Sequence, residues 1–344
     1  MAQSGSDWRR SRALIGGLAW VYLAAVALVW LLISFSGDKW WLATILMFGP
    51  RWVYALPLPL LAAACLLVRR KSLVVLVAAA VICFGPLMGF ELPRWRTADP
   101  TAQTLRVITC NIQNRNVDRQ ALLEFVARSQ ADVVALQECT GVRALAWPAD
   151  WHAYAVGEFM VASRYKILEA EQPRNKQGWA EGSVLRCKLA VPGGSIELFT
   201  VHLETPRNGL QAVLGGPLGL RLSKVTALTA NIEHRDEQSA RNARWIKQFS
   251  GDVVVAGDFN MPIESAIYRR HWSWLPNAFS IAGCGYGMTK ITSQGSMQYG
   301  ARIDHVLYGP SWRCVGCEVG PALGSDHLPL VAELHRPLPT GNDR

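Results

Sequence analysis

An uncharged run of 23 residues, 13–35, restricts the fold of this chain more than any other feature of its sequence. An α-helix of that length crosses the roughly 30 Å of hydrocarbon in a lipid bilayer. A cleaved signal peptide, the main alternative, has a shorter apolar run that ends in a small-x-small cleavage pattern, and neither property is found here. The run therefore predicts a transmembrane helix.

Two further apolar segments predict two more membrane spans, at about 45–68 and at 72–90. Arg51 interrupts the first of these segments. The residues before it, 41–49, either extend a tilted span or lie re-entrant at the membrane interface. The sequence thus predicts a membrane region, residues 1–95, with about three transmembrane helices.

Positive residues predict the orientation of these helices. Three arginines precede the first span, and the cluster Arg69-Arg70-Lys71 separates the second span from the third. Lys and Arg are enriched on the cytoplasmic side of membrane proteins. With three spans, the N-terminus is therefore expected in the cytoplasm and everything after Phe90 outside. This predicts a multi-pass protein of the cell membrane with an extracytoplasmic main domain.

The formal net charge of +9 is unevenly distributed along the chain. Residues 1–95 hold 9 Lys and Arg against 3 Asp and Glu, whereas residues 96–344 hold 26 against 23. Most of the positive excess therefore belongs to the membrane region. These counts do not support a strongly basic surface that grips duplex DNA.

Beyond the membrane region, residues 96–104 form a predicted linker, residues 105–336 one domain and residues 337–344 a tail. Helices are predicted at 118–129 and 239–249. Strands are predicted at 105–113, 132–138, 159–164, 182–189, 196–204, 253–258, 303–307 and 328–334. Strands with few helices between them indicate a layered α/β domain with substantial sheet.

Residues 207–232 differ from the rest of the domain because glycines alternate with leucines there. One interpretation is a surface insertion. The other is a mobile lid or a loop that touches the membrane over a binding site.

The strand at 253–258 carries the clearest chemical signal. Three consecutive valines, whose stiff side chains favour a pleated sheet, lead into the sequence Gly257-Asp258-Phe259-Asn260. Because side chains alternate along a strand, Asp258 and Asn260 are expected on the same face. The end of a buried strand therefore presents a carboxylate and an amide together.

Oxygen or nitrogen ligands lie at predicted strand ends throughout the domain: Asn111, Glu138, His202, Asp258 with Asn260, Asp304, and Asp326 with His327. An amide and two carboxylates that converge on one point form a site for Mg²⁺ or Mn²⁺. No Cys/His spacing predicts a zinc site instead. Histidines beside carboxylates are suited to bind phosphate, because the carboxylate favours the charged ring.

Six motifs resemble those of the endonuclease/exonuclease/phosphatase superfamily, which includes deoxyribonuclease I, abasic-site endonucleases, inositol polyphosphate 5-phosphatases and neutral sphingomyelinases. The motifs are Thr109-Cys110-Asn111-Ile112, Leu136-Gln137-Glu138, Val201-His202-Leu203, Gly257-Asp258-Phe259-Asn260, Arg302-Ile303-Asp304-His305 and Ser325-Asp326-His327-Leu328-Pro329. The resemblance covers residues 104–335. It implies a four-layer α/β sandwich, in which two packed mixed β-sheets are flanked by helices, preceded here by the transmembrane helices.

The resemblance also implies a metal site. Asn111 and Glu138 match the metal-binding pair, and Asp326 lies near a second metal or a water position. The implied cofactor is Mg²⁺ or Mn²⁺.

The remaining matched residues are implied to act on the phosphate. Asp258 orients or deprotonates the attacking water, and Asn260 holds a phosphoryl oxygen and steadies Asp258. His327 contacts the scissile phosphate, with Asp304 behind it. His202 matches a second phosphate-binding histidine.

The usual glutamate partner of this second histidine matches Glu181 only loosely. His305, beside Asp304, is expected to point to the other face and to lie outside the site.

The predicted function is a membrane-anchored, metal-dependent hydrolase of a phosphodiester such as nucleic acid. The alternatives are a lipid-headgroup phosphodiesterase or phosphatase, of sphingomyelinase or phosphoinositide phosphatase type, a catalytically silent phosphate-binding module and a membrane scaffold. Substrate choice is expected in the loops 141–158, 205–235 and 265–300. Their tryptophans either pack internally, stack on bases or contact lipid. No protein partner is predicted.

Overall fold

The computed structural model describes residues 2–92, 101–114, 116–142, 145–174, 182–215, 219–249, 251–294 and 297–337. The chain divides into two compact units. The first consists of Met1–Phe90 and Glu264–Ala266, and the second of Glu91–Ile263 and Ile267–Arg344. Of the predicted linker, residues 96–100 lie outside the described residues, as do residues 338–344 of the predicted tail.

The described part of the first unit forms four α-helices: α1 (Ala2–Ser36), α2 (Trp41–Phe48), α3 (Pro57–Val68) and α4 (Leu73–Ile82). Short helical turns at Arg51–Ala55, Arg70–Ser72 and Cys83–Leu87 extend α3 and α4. Among the described residues, three helical stretches are long and apolar enough to cross a membrane: Asp7–Ser36, Arg51–Val68 and Arg70–Leu87.

The second of these stretches begins at Arg51 rather than near residue 45, because α2 ends before Gly49 and Pro50. Gly49 is extended, with φ −75° and ψ 171°, and the proline has no N–H to continue a helix. Residues 41–48 therefore form a helix of their own.

Aliphatic side chains cover the outside of this unit. Leu60, Leu67 and Val74 are 76%, 80% and 75% exposed, although leucine and valine are among the residues most often buried in soluble proteins. Continuous exposure of this kind is typical of helices that are surrounded by lipid.

The second unit is built from two mixed sheets and a hairpin. The strands are β1 (Gln103–Asn111), β2 (Val133–Gln137), β3 (His152–Val156), β4 (Phe159–Ser163), β5 (Ile167–Glu171), β6 (Val184–Val191), β7 (Gly194–His202), β8 (Asp252–Asp258), β9 (Lys290–Gln294), β10 (Met297–Ala301), β11 (Asp304–Tyr308), β12 (Arg313–Val319) and β13 (Leu330–Arg336). The helices are α5 (Arg119–Arg128), α6 (Arg207–Leu214), α7 (Val225–Ile246), α8 (Ala266–His271) and α9 (Ala278–Ala282).

One sheet has the order β12-β13-β1-β2-β4-β3, and the other has the order β11-β8-β7-β6-β5. Strands β9 and β10 form the separate hairpin. Two neighbouring pairs are parallel, β1 with β2 and β7 with β8, and the remaining pairs within the two sheets are antiparallel.

The alternation of side chains along β1 explains why the sheets are layered. Val107 points into a core that it shares with residues of the second sheet, such as Leu198 and Val254. Ile108 points to the opposite face and packs in a second core with Phe125 of α5. On the far side, α7 packs on β7 through aromatic contacts. The order helix, sheet, sheet, helix confirms the predicted four-layer α/β sandwich.

The described residues of the segment 207–232 are largely helical, and both interpretations of the segment, a surface insertion or a lid, stay predictions. Residues 207–214 form α6, and α7 begins at Val225 rather than at residue 239. The glycines do not all mark a loop: a Cβ at Gly209 would lie 2.9 Å from Leu228 Cδ1 and 3.1 Å from Leu228 Cα. Gly209 therefore permits close packing between α6 and α7.

Gly257 has a comparable function between β8 and β7, one residue before Asp258. Its φ is +154°, and a Cβ there would lie 2.0 Å from the carbonyl oxygen of Val201. Only glycine tolerates this approach of two backbones. The register that results pairs His202 with Asp258 across the parallel strands.

Candidate active site

The carboxyl ends of the parallel strands meet around one cavity of about 530 Å³. In β1 and β2, Asn111 is paired with Gln137, so that Glu138 follows directly beside Asn111. Polar and charged side chains dominate the lining. The sequence-predicted residues that line the cavity are Asn111, Glu138, His202, Asp258, Asn260, Asp326 and His327. Asp304 is fully buried behind His327.

Asp258 is the most enclosed carboxylate of the cavity lining, at 1% exposure. Its Oδ1 accepts the Asn260 backbone N–H at 2.8 Å. Its Oδ2 accepts the side-chain amides of Asn111 at 3.1 Å and Asn260 at 3.2 Å. Burial raises the pKa of Asp258, although the nearby charge of His327 acts in the opposite direction. A buried carboxylate with a raised pKa is suited to accept a proton.

Three described residues that line the cavity have a left-handed backbone: Gln113, Glu138 and Asn260. The φ of Glu138 is +56° and that of Asn260 is +51°. Non-glycine residues rarely adopt this conformation, which costs about 1–3 kcal/mol and is concentrated at functional sites. Asn260 is held there by its side chain, whose Nδ2 also donates to the Leu203 carbonyl at 2.8 Å.

His327 and Asp304 form a buried pair. His327 Nδ1 lies 2.9 Å from Asp304 Oδ2, and its Nε2 lies 3.6 Å from Asp258 Oδ2. Burial opposes the charged ring, but the charges of Asp304 and Asp258 raise the pKa of His327. Burial likewise opposes the carboxylate of Asp304, but the charge and hydrogen bond of His327 lower its pKa. Each partner of the pair therefore favours the charged form of the other, and Nε2 is directed towards Asp258.

Ser325 fixes this histidine relative to β1. Its Oγ accepts the His327 backbone N–H at 3.1 Å and donates to the Asn111 carbonyl at 2.7 Å. Asn111 and His327 are thus connected through one buried hydroxyl.

Glu158, which was not predicted, is the partner of His202. Its Oε2 lies 3.0 Å from His202 Nδ1. The previously matched Glu181 lies outside the described residues. Glu158 follows Gly157 in the turn between β3 and β4, and its carbonyl accepts the Cys139 N–H at 2.8 Å. The only sequence signal for it is a carboxylate just before the strand at 159–163.

His202 is charged at neutral pH because of this environment. Burial disfavours the charged ring, but the Glu158 hydrogen bond and the charges of Asp258, Glu158 and Glu138 raise its pKa to about 9. His202 Nε2 lies 3.7 Å from Glu138 Oε1 and 3.8 Å from Asp258 Oδ2. The ring therefore supplies a positive charge at the centre of the cavity.

We expect a Glu158→Gln substitution to lower the pKa of His202 below the wild-type value of about 9, because the charged hydrogen-bond partner is lost. Because the pKa of His202 is higher in the folded chain than in the unfolded chain, the protonated ring stabilises the fold. This stabilisation is complete at pH values below the pKa of the unfolded state and is lost as the pH rises through about 9. The measurement is an NMR titration of the histidine Cε1–H signals in the metal-free full chain, with His202→Gln for assignment. An unchanged midpoint in Glu158→Gln would contradict the assigned pairing.

Glu138 and Asn111 are adjacent, as a metal-binding pair requires. Asn111 Nδ2 donates to Glu138 Oε1 at 2.9 Å, while Asn111 Oδ1 accepts the Gln113 N–H at 3.0 Å. A hard cation binds oxygen. The Asn111 Oδ1 keeps a second lone pair for an ion, and Glu138 already faces the cavity with 29% of its side chain exposed.

A divalent ion fits the donors of this cavity. Carboxylate and amide oxygens predominate, which suits Mg²⁺ or Mn²⁺. Asp326 Oδ1 is buried and, among the described residues, has no hydrogen-bond partner. Asp258, Asp304 and His327 also offer ligand atoms within 4.8 Å of one another. His327 and Asp304 are already hydrogen-bonded to each other, so the donors left for an ion are Glu138, with 29% of its side chain exposed, and the Asp326 Oδ1 that has no hydrogen bond among the described residues.

His305, which was expected outside the site, and two tryptophans of the loop 265–300 do not line the cavity. Trp272 is fully buried and packs edge-to-face on Phe259 at 5.0 Å. His305 is fully buried, with Nε2 2.9 Å from the Met261 carbonyl and Nδ1 3.1 Å from Asn277 Nδ2. His305 therefore lies outside the cavity. Trp274, by contrast, is 39% exposed.

A model of the Endonuclease/Exonuclease/phosphatase family matches residues 108–327. A search of curated protein sequences gives no significant match. Among solved structures, a 3'-5' exonuclease (NExo) from Neisseria meningitidis matches with 18% identity and a TM-score of 0.50, covering 66% of this chain and 98% of that one.

Other solved structures match over similar lengths. An AP endonuclease from Archaeoglobus fulgidus has 16% identity and a TM-score of 0.49, covering 66% of this chain and 98% of that one. The human nocturnin catalytic domain with a bound sulfate anion has 15% identity and a TM-score of 0.48, covering 68% and 97%. Identity this low establishes no more than a shared fold.

Proposed function

The chain belongs to the endonuclease/exonuclease/phosphatase family, whose members hydrolyse phosphoesters, and we propose that it is a membrane-anchored phosphodiester hydrolase that requires Mg²⁺ or Mn²⁺. The main support is the convergence of Glu138, His202, Asp258, Asn260 and His327 on one cavity. This set combines a metal-binding carboxylate, a buried base and donors for phosphate.

Asp258 is proposed to orient the attacking water and to take its proton, a function typically worth about 10²- to 10⁴-fold in rate. Two side-chain amides and a backbone N–H hold the carboxylate in place. Because burial raises its pKa, Asp258 accepts a proton more readily than an exposed aspartate does.

Three side chains are proposed to hold the phosphoryl group. Asn260 donates through its amide, and the charged rings of His202 and His327 compensate the negative charge on the phosphoryl oxygens. Donors that are fixed before the reaction stabilise the transition state most effectively. Asp304 fixes the orientation of His327 from behind.

A divalent ion would be held by Glu138 and Asn111, with Asp326 near a second metal or a water position. When bound, the ion neutralises charge that develops on the phosphoryl and leaving oxygens. Glu138 follows the end of β2, Asp326 precedes the start of β13, and both line the cavity.

The proposed location is the cell membrane, with the N-terminus in the cytoplasm and the catalytic unit outside. Support comes from the three apolar helices and from the basic cluster Arg69-Arg70-Lys71 between two of them. Cys284, which is exposed, offers a test because the other cysteines are buried. A membrane-impermeant maleimide should label Cys284 in intact bacterial cells, and labelling only after lysis would reverse the orientation.

A nucleic-acid phosphodiester is the first proposed substrate. Arg207 and Arg241 line the cavity and are suited to contact neighbouring backbone phosphates. One solved structure with this fold is a 3'-5' exonuclease. The modest charge of residues 96–344, 26 Lys and Arg against 23 Asp and Glu, favours single strands or short ends over tightly bound duplex.

A lipid headgroup is the second candidate, and a specific observation favours it. Leu214, Leu220 and Leu222 are 44%, 50% and 65% exposed near the connection between α6 and α7. Arg221 and Lys224 lie beside them. Exposed aliphatic residues next to basic ones are typical of surfaces that insert into an anionic membrane interface.

A substrate panel distinguishes these candidates. The full chain, with Mg²⁺ or Mn²⁺, is tested on single-stranded DNA, RNA, sphingomyelin and phosphoinositides. A Leu222→Asp variant should lose turnover on lipid vesicles only if lipid is the substrate, and Leu168→Asp, at a leucine that is 48% exposed on β5, is the matched control. No turnover on any of these substrates would exclude the hydrolase and favour a silent binding module.

A further inference from the structure

Lys290 places a positive charge inside the cavity, next to Asp326. Its Nζ forms an ion pair with Asp326 Oδ2, and 13% of its side chain is exposed. Among the described residues that line the cavity, it is the one lysine. Arg241, another cationic residue of the lining, has 41% of its side chain exposed. Lys290 is therefore the more enclosed of these two cations.

The backbone fixes Lys290 beside the segment that carries Asp326 and His327. The Ile291 N–H donates to the Asp326 carbonyl at 2.9 Å, and the Leu328 N–H donates to the Thr289 carbonyl at 2.6 Å. These two bonds flank an antiparallel bridge between Lys290 and His327. The position of the lysine is thus set by the strand pairing and not by the ion pair alone.

The neighbouring Thr289 is itself firmly held. Its Oγ1 accepts the backbone N–H groups of Ile303 and Asp304 at 3.2 and 3.1 Å. The start of β9 is thereby tied to the start of β11, which carries the carboxylate behind His327. Lys290 and the His327–Asp304 pair therefore belong to one rigid assembly.

A largely buried ion pair is poor evidence for a contribution to stability, because the cost of removing two charges from water offsets their attraction. The pair is also incomplete, since Asp326 Oδ1 is buried without a hydrogen-bond partner among the described residues. A lysine held in this way is better explained by a ligand that approaches the cavity.

We infer that Lys290 is the second cation of this site. Its ammonium, held at Asp326, takes the place of the second divalent ion in two-metal phosphoesterases. It also contacts a phosphoryl oxygen of the substrate. Two-metal sites stabilise the attacking and leaving oxygens with a pair of ions. Here one ion at Glu138 and one fixed ammonium share that task. The inference rests on the proposed function and specifies one divalent ion per chain.

The test is the stoichiometry of Mn²⁺ binding to the full chain in detergent, measured by titration calorimetry and by the EPR signal of free Mn²⁺. The wild-type chain should bind one ion. A Lys290→Met variant should bind a second ion, because Asp326 is left without a cation, and its turnover should fall about 10²- to 10³-fold. The double variant Lys290→Met/Asp326→Asn should return to one ion.

Lys188→Met is the matched control, because Lys188 pairs with Glu169 at 3.4 Å on the β5–β6 edge and lies outside the cavity. It should bind one ion and retain wild-type turnover. Two ions in the wild-type chain, or one ion in Lys290→Met, would overturn the inference while leaving the proposed function intact. A wild-type chain that binds no ion would overturn both.

Discussion

Replacing Asp258 with asparagine is expected to slow phosphoester hydrolysis by about 10²- to 10⁴-fold, because it removes the proposed general base and keeps the size of the side chain. The residue sits at the end of β8, where the Asn111 and Asn260 amides hold the carboxylate. The measurement is kcat of the full chain on bis-p-nitrophenyl phosphate with Mn²⁺. The loss should appear in kcat more than in KM, because the proton is transferred in the chemical step.

The asparagine variant is not expected to unfold. Burial raises the pKa of Asp258, so its negative charge destabilises the folded chain at pH values above that pKa. The gain from removing that charge is offset, because the new amide would face the donor amides of Asn111 and Asn260 and would leave His202 without one of its carboxylates, so we expect a modestly lower melting temperature with the fold retained.

Asp252→Asn is the control for this prediction. Asp252 begins the same strand and contacts Ser311 and Arg336, away from the cavity. Its substitution should leave kcat unchanged. Equal kcat values for Asp258→Asn and the wild type would contradict the role assigned to Asp258.

Glu138→Gln is expected to weaken Mn²⁺ binding by at least about 10²-fold. Even residues that only support a metal ligand change affinity by about 10–100-fold, and here the ligand itself would lose its charge. The measurement is titration calorimetry of the metal-free full chain with MnCl₂. A high concentration of Mn²⁺ should partly restore turnover in Glu138→Gln and should not restore it in Asp258→Asn.

Glu124→Gln provides the comparison for Glu138. Glu124 is exposed on α5 and accepts a hydrogen bond from Gln120 at 2.9 Å. Its substitution should not change Mn²⁺ affinity. If Glu138→Gln binds Mn²⁺ as tightly as Glu124→Gln does, the metal site lies elsewhere.

The strands that could be predicted from sequence are those whose residues are buried on both faces. All five residues of β2 are buried, as are six of the seven residues of β8, and both strands are runs of apolar and β-branched residues. In β3 and β5 no residue is fully buried. Both are edge strands whose two faces are exposed or half-buried, so they lack the apolar pattern that sequence analysis detects, whereas the edge strand β11 is buried throughout and was predicted.

The first half of α7 was missed for a related reason. Its residues are mostly polar, and its place in the fold depends on tertiary contacts. Arg235, with no exposed surface, donates to the carbonyls of Glu204 and Asn260. A buried arginine that binds loop carbonyls has no periodic signature in the sequence.

In the candidate site as well, some residues follow from a sequence pattern and others are placed by tertiary contacts. Asn111, Asp258 and His202 end parallel strands, so topology alone brings them together. Glu158 and Lys290 come from β-hairpins, whose approach to the cavity depends on the packing of distant strands. Sequence motifs therefore predicted the strand-end residues and missed the two side chains that pair with His202 and Asp326.

The central claim is that one cavity binds a divalent ion and splits a phosphate ester, and a metal-restoration assay tests it most directly. The full chain is depleted of metal with a chelator, and turnover of bis-p-nitrophenyl phosphate is followed while Mn²⁺ is returned. The wild type should be inactive in chelator and recover with Mn²⁺, whereas Asp258→Asn should stay inactive throughout. Turnover that persists in chelator, or that never appears with either Mn²⁺ or Mg²⁺, would contradict the claim.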